Sequence, residues 1–267
     1  MSVPPSGIVT LLTDFGLSDP FVGIMKGVIA SRFRAASVID LCHGIPPQSV
    51  VDAAFWLERS YGWFAPGTVH VAVVDPTVGS ARTILAARAH GHIFLAPDNG
   101  LLAASLTGPG AELRAVDASR LGLPPPSATF HGRDVFAPVA ADLASGALAF
   151  ADVGAPASAR PCVLDAPRVE AEAVHGVVVT IDHFGNLITN LDRRALEAAG
   201  ARRVCVGEHE VALHRTYADA APGELVAVIN AFEVLELAIR DGSAERRLGL
   251  GRGTPVSAPV AGRVLRA

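Results

Sequence analysis

Lysine is almost missing from this chain: Lys26 stands alone among 22 basic residues, and the others are arginines. Cysteine is scarce too. Cys42, Cys162 and Cys205 are odd in number, widely spaced and in no Cys-x-x-Cys pair, which excludes a disulfide framework. They read as reduced, mostly buried thiols, as in a cytoplasmic protein. No apolar run reaches the roughly 18 residues of a membrane-spanning helix. The opening Met1 to Gly7 carries no basic residue and does not read as a secretory leader. Nor does one sign of charge dominate. The 22 Lys+Arg and 26 Asp+Glu residues leave a net −4, which excludes a strongly basic nucleic-acid grip and an acidic tail. A Gly-x-Ser-x-Gly elbow and a phosphate loop are absent. Gly16, Gly23 and Gly27 have the wrong spacing for a dinucleotide fingerprint, and the acidic turn beside them would repel a pyrophosphate.

What the chain does have is apolar mass. Half of its 267 residues are hydrophobic and 18% are charged, so disorder is excluded. A chain of this length buries roughly three quarters of its unfolded surface. It makes one large domain or two modest ones.

Ile8–Thr13 is a continuous apolar run, as in a strand buried on both faces. Phe21–Arg34 carries helical spacing, Val38–Leu41 is a short strand, and Gln48–Tyr61 reads as a second helix. Thr68–Val74 is the clearest buried strand and ends in an Asp-Pro-Thr-Val-Gly turn. Thr83–Ala89 and His92–Ala96 form a hairpin about Gly91. Asn99–Leu106 reads as a short helix, and Phe130–Asp134 opens another that runs to about Ser145. This alternation predicts an α/β sheet with helices on both faces. Ala151–Pro167 is rich in Ala, Pro and Ser and reads as a linker. Beyond it come mostly strands: Val174–Ile181, Arg203–Val206, Val211–His214, Leu225–Asn230, Val234–Ile239 and Pro255–Val260. One helix is expected at Arg193–Ala199. The expected division is an α/β domain over 1–167 and a smaller β-barrel domain over 168–267.

In open α/β sheets, ligands bind beyond the carboxyl ends of the strands. Asp14 follows the first strand, Asp75 the central one, and Asp40 and His43 another. A carboxylate there can accept two hydrogen bonds from a ribose diol, or face a cation. Arg82 follows the Asp75 turn closely, and an Arg beside an Asp keeps the carboxylate ionised. His131 precedes Arg133-Asp134 at a helix start. Asp75, Arg82 and His131 are therefore candidates for one polar cluster. His90 and His92 alternate along a strand, but nothing beside them completes a metal site, and no metal is expected.

Six segments in order carry a resemblance: Thr-Asp-Phe-Gly (13–16), Val-Gly-Ile-Met-Lys-Gly-Val-Ile (22–29), Val-Val-Asp-Pro-Thr-Val-Gly (73–79), Ala-Pro-Asp-Asn-Gly (96–100), Thr-Phe-His-Gly-Arg-Asp-Val-Phe-Ala-Pro (129–138) and Asp-His-Phe-Gly-Asn-Leu-Ile-Thr-Asn (182–190). Together they resemble the S-adenosylmethionine (SAM) hydroxide adenosyltransferases, or SAM hydrolases, relatives of the SAM-dependent fluorinase and chlorinase. The resemblance implies attack of water or hydroxide on the ribose 5′ carbon of SAM, giving adenosine and L-methionine with no cofactor. It implies catalytic roles for Asp75, Arg82 and His131. It assigns Asp14 to the ribose, Asp19 and Asp182 to the amino end of methionine, and Asn186 to an adenine edge with Phe184 nearby. Glu236 matches a position expected at the ligand. Ala231 and Phe232 follow Asn230 where the family more usually has a serine after the Asn, and Phe21 stands where the fluorinase has a hydroxyl residue. The resemblance further implies a homotrimer, with each site between one subunit's first domain and its neighbour's second. Two alternatives remain at this point: adenosyl transfer to halide, and a SAM or adenosine sensor without turnover. The halogenases carry an aromatic residue where Asp75 stands, which favours water as the nucleophile.

Overall fold

The computed structural model describes residues 3–261, and the chain forms two compact units that divide between Leu164 and Asp165. The boundary expected from sequence was 167/168. Residues 1–2 and 262–267 lie outside the described residues, and with them the outer ends of the two expected domains and the start of the stretch read as no leader.

The first unit is built on a six-stranded sheet. Its strands are β1 (Ile8–Thr13), β2 (Ser37–Cys42), β3 (Val69–Val73), β4 (Ile84–Ala89), β5 (His92–Pro97) and β6 (Glu112–Ala115). The order is β2-β1-β3-β5-β4-β6. β2, β1, β3 and β5 run parallel, and β4 runs antiparallel to both of its neighbours. β1 and β3 are buried almost throughout and mostly apolar, because both faces are covered. Helices α1 (Phe21–Arg32) and α3 (Ala137–Ser145) pack over Val9, Leu11, Val69 and Val71, with Met25 and Ile29 fully buried between. Helix α2 (Val50–Ser60) covers the other face, where Ala53 and Leu57 meet Leu12, Ala72 and Val74. Each fully buried side chain of this size contributes roughly 1.5–3 kcal/mol. The expected α/β layer with helices on both faces is thus present.

The expected helix Asn99–Leu106 reduces to one 3₁₀ turn, Ala103–Leu106. The half-exposed edge strand β6 shows no clean apolar alternation and was not anticipated. The thiols also differ from expectation: Cys162 is exposed, and Cys42 and Cys205 are only partly buried.

The second unit is a closed barrel. β7 (Arg168–Val169), β8 (Ala173–Ile181), β9 (Leu187–Asp192), β10 (Arg203–Val206), β11 (His209–His214), β12 (Leu225–Ile229), β13 (Val234–Ile239) and β14 (Pro255–Pro259) are its strands. The order β14-β10-β11-β12-β13-β9-β8 closes on itself because β14 also pairs with β8, and β7 adds at β8. Closure removes the exposed edges of those seven strands. Helix α4 (Arg193–Ala198) follows β9, capped by Asp192 Oδ1, which accepts from Ala195 N–H at 2.8 Å. A five-residue helix α5 (Ala244–Leu248), too short to show a period, is capped by Ser243. On β13, Leu235, Leu237 and Ile239 fill the barrel core. The two-residue period of a strand puts Glu236 on the opposite face.

Among the described residues, no helix is long and apolar enough to cross a membrane.

Candidate active site

β3 delivers Asp75 just past its carboxyl end, and Asn99 holds that end by donating to the carbonyl of Val74 at 2.9 Å. The turn that follows needs Gly79. Its φ is +81°, and a Cβ there would lie 2.3 Å from the carbonyl oxygen of Ala128. This close approach sets the Asp75–Arg82 turn against the segment that leads into His131.

Arg82 and Asp75 form a buried pair, their side chains each 5% exposed. Arg82 donates from Nε to Asp75 Oδ2 at 2.6 Å, and its Nη2 also contacts that oxygen. The Asp75 Oδ1 accepts from the Thr77 N–H and hydroxyl, both at 3.3 Å. On its far side, Arg82 Nη2 lies 2.8 Å from His131 Nδ1. A guanidinium only donates, so His131 Nδ1 is the acceptor and the ring is neutral with its proton on Nε2. Burial and the Arg82 charge both hold the imidazole below its usual pKa, and the Asp75 carboxylate only partly opposes them.

Asp14 follows β1 and lines a cavity of about 260 Å³ together with Asp75, His131, Phe130 and Gln48. Its Oδ2 accepts from Gln48 N–H at 2.7 Å. Phe15, Phe21 and Phe130 meet edge to face at 5.3–6.1 Å between centroids and give this region an apolar wall. The first unit therefore brings Asp14, Asp75, Arg82 and His131 together. Asp19 lies exposed on the loop before α1 and is not among the residues lining that cavity.

In the second unit, the turn after β8 is organised by Asp182. Its Oδ1 accepts from the N–H groups of Phe184 and Asn186 at 2.9 Å, and its Oδ2 from Asn186 Nδ2 at 3.0 Å. Gly185 sits at φ +84°, where a Cβ would lie 2.1 Å from Ser243 Oγ. Phe184 projects outward, 73% exposed. Glu236 is 3% exposed and takes Tyr217 O–H at 2.6 Å and Asn230 Nδ2 at 3.0 Å. Burial pushes its carboxyl above the usual range despite these donors. Ala231 is exposed, and Phe232 donates its N–H to Asn230 Oδ1 at 2.9 Å. Asp182, Asn186 and Glu236 thus share one network, while Ala231 stands outside it. Tyr217 and Gln48 were not anticipated from sequence. The only signal for Tyr217 is rarity, since the chain has two tyrosines; Gln48 contributes through its backbone and has no side-chain signature.

Among the described residues, no group of three or more His, Cys, Asp or Glu side chains could hold a metal ion.

Residues 9–154 match the family model of the SAM hydroxide adenosyltransferase N-terminal domain, and 176–257 match that of the C-terminal domain. The chain belongs to the SAM hydroxide adenosyltransferase family. An (R)-S-adenosyl-L-methionine hydrolase from Thermus thermophilus is 40% identical over 256 residues, covering 93% of this chain and 98% of that protein. A fluorinase from Actinopolyspora mzabensis is more distant, 29% identical over 287 residues, covering 93% of this chain and 96% of that protein. The crystal structure of a conserved protein from Thermotoga maritima superposes with a TM-score of 0.86 at 35% identity, covering 94% of this chain and 99% of that one. In this SAM hydroxide adenosyltransferase the Asp75–Arg82–His131 group falls within the N-terminal match and the Asp182–Asn186 group within the C-terminal one.

Proposed function

We propose that this protein hydrolyses SAM to adenosine and L-methionine. Water adds to the ribose 5′ carbon and the C5′–S bond breaks. The sulfur leaves with the electron pair as a neutral thioether, and one proton is released. The sulfonium is thus a good leaving group, and the reaction as written needs no cofactor. The protein's task is to place one water in line and exclude others.

The observation that carries this reading is the Asp75–Arg82–His131 array, two members of which, Asp75 and His131, line one cavity with Asp14. Asp75 holds and polarises the water. Arg82 fixes the Asp75 carboxylate through its guanidinium. His131 is hydrogen-bonded to Arg82 and has no uncommitted lone pair on Nδ1, so Asp75 is the group that accepts the proton. Asp14 takes the ribose hydroxyls, Asn186 reads the adenine edge, and Asp19 and Asp182 face the ammonium end. The name of the Thermus thermophilus relative supports the (R) epimer at sulfur as the substrate.

The finer parts of the reading are a cytoplasmic homotrimer in which each site is completed by a neighbouring subunit. Free cysteines suit a reducing compartment. The exposed Phe184 suits a ring that a nucleoside and a neighbour would cover. Sedimentation at three times the 27.6 kDa chain mass is the expected outcome. Activity is tested by incubating the purified chain with SAM and separating products. Adenosine and methionine should form in equal amounts, and product at only the enzyme-free rate would reject hydrolysis.

A further inference from the structure

Two segments converge on Asp14: Thr13–Gly16 and the stretch from His43 to Gln48. Thr13 is fully buried and His43 is 5% exposed. Thr13 Oγ1 lies 2.8 Å from His43 Nδ1. The same oxygen accepts from Phe15 N–H at 3.2 Å. Gly16 N–H donates to the backbone carbonyl of His43 at 2.8 Å. The residues on both sides of Asp14 are therefore tied to His43. Further along the same segment, Gln48 donates its N–H to the Asp14 carboxylate. Gln48 sits at φ +66°, in the left-handed region that side chains ordinarily avoid. Strained backbone of this kind persists only where its surroundings hold it.

A second layer stands behind His43. Its Nε2 lies 3.0 Å from Asp40 Oδ1, a close ionic approach that is not aligned as a hydrogen bond. Asp40 Oδ2 accepts from Lys26 Nζ at 2.6 Å. Burial pushes the Asp40 carboxyl up, but the Lys26 bond and the close approach of His43 outweigh it and bring it below its usual value. The Asp40 charge beside Nε2 favours the ring proton on that nitrogen, so Nδ1 accepts from the Thr13 hydroxyl. The chain's one lysine thus anchors a relay that runs Lys26–Asp40–His43–Thr13 and ends at the Asp14 loop.

We propose that His43 is a positioning residue for substrate: it fixes the Thr13–Gly16 loop so that the Asp14 carboxylate meets a ribose diol in one orientation. This rests on the reading that Asp14 takes the ribose hydroxyls. A loop left to fluctuate would lose affinity for the nucleoside before it lost chemistry, since the contacts of His43 run to Thr13, Gly16 and Asp40.

The test is a double-mutant cycle read by adenosine calorimetry and by SAM kinetics on the full chain. His43→Ala should weaken adenosine about tenfold, the effect of losing one fixing hydrogen bond, and raise KM more than it lowers kcat. His43→Asn, which keeps an acceptor near Nδ1, should recover most of that loss. In an Asp14→Ala background, His43→Ala should add nothing. Equal losses in both backgrounds overturn the inference while leaving the Asp14 reading standing. An Asp14→Ala variant with full adenosine affinity removes that reading and the inference with it. Should His43→Ala not fold, Thr13→Val keeps the buried shape, deletes only the hydroxyl and carries the same cycle.

Discussion

Arg82 donates to His131 Nδ1 across 2.8 Å, and this one contact decides what the histidine can do. A guanidinium cannot accept, so the lone pair of Nδ1 is committed and Nε2 keeps its proton. His131 serves as an acceptor that completes Arg82, which in turn holds Asp75.

An acceptor can be replaced by another acceptor. His131→Asn should stay within about tenfold of the parent turnover, whereas loss of a general base would cost about 10²–10⁴. The parent should lose activity as pH falls below the ordinary histidine value of 6.5, because protonating Nδ1 breaks the Arg82 bond. Since burial and Arg82 depress this pKa, the ring is neutral at pH 7 and the loss lies wholly on the acid side. His131→Asn should flatten that limb. Rate profiles from pH 4 to 9 check both points, and an inactive Asn variant that folds would return the base role to His131.

Asp75→Asn keeps shape but removes the charge that faces Arg82. Turnover should fall by about 10²–10⁴, with adenosine still bound. The same carboxylate repels a halide. Incubation with SAM in molar chloride should therefore yield no chlorinated nucleoside from the parent chain. Chloroadenosine on the chromatogram would contradict that reading.

Much of this was legible because local signals agreed. β1 and β3 are short, mostly apolar runs followed by Asp14 and Asp75, and a doubly covered parallel strand favours that pattern. Arg82 lies close enough in sequence to Asp75 for the pair to be expected, and the motif around His131 supplied the third member. Register and capping were harder to read. β9 begins inside the Asp182–Asn190 motif, whose polar residues conceal the strand. Glu236 was expected at the ligand; its pairing opposite Val228 and Ile188 sets it on the face of β13 away from the barrel core, buried under Tyr217. A lone tyrosine on a 3₁₀ turn gives no periodic signal, so its partner could be seen only in three dimensions.

Tyr217 and Glu236 carry a stability prediction. Burial pushes the Tyr217 phenol well above its usual pKa, helped by the bond to Glu236, so it stays a donor at every working pH. Glu236 is raised above 4.5, so the native state holds its proton longer than the unfolded chain does. Stability from this group is complete below 4.5 and is lost as pH rises through the raised value. Tyr217→Phe strips a donor from the ionised form, a loss of about 1–3 kcal/mol for a buried group. Urea unfolding should show that loss larger at pH 8 than at pH 5. Equal losses at the two pH values would mean that Glu236 is not the partner that matters.

His70 sets the opposite slope. It is fully buried, with Thr10 Oγ1 at 2.8 Å from Nδ1 and His92 Nδ1 at 3.2 Å from Nε2, and its ring stacks on Phe94. Burial, with a smaller effect from His92, lowers its pKa from 6.5 to about 3. Between those values the unfolded chain binds a proton that the native ring refuses. Stability is therefore full above pH 6.5 and declines as pH falls toward 3. Each pH unit in that window costs about 1.4 kcal/mol from this one group. His70→Gln keeps polar atoms in the site but cannot titrate. It should unfold more easily than the parent at pH 7, yet lose less stability between pH 6 and pH 4. The difference in slope, measured by denaturant titration, separates the titration of His70 from its packing; parallel slopes would place the acid sensitivity elsewhere in the fold.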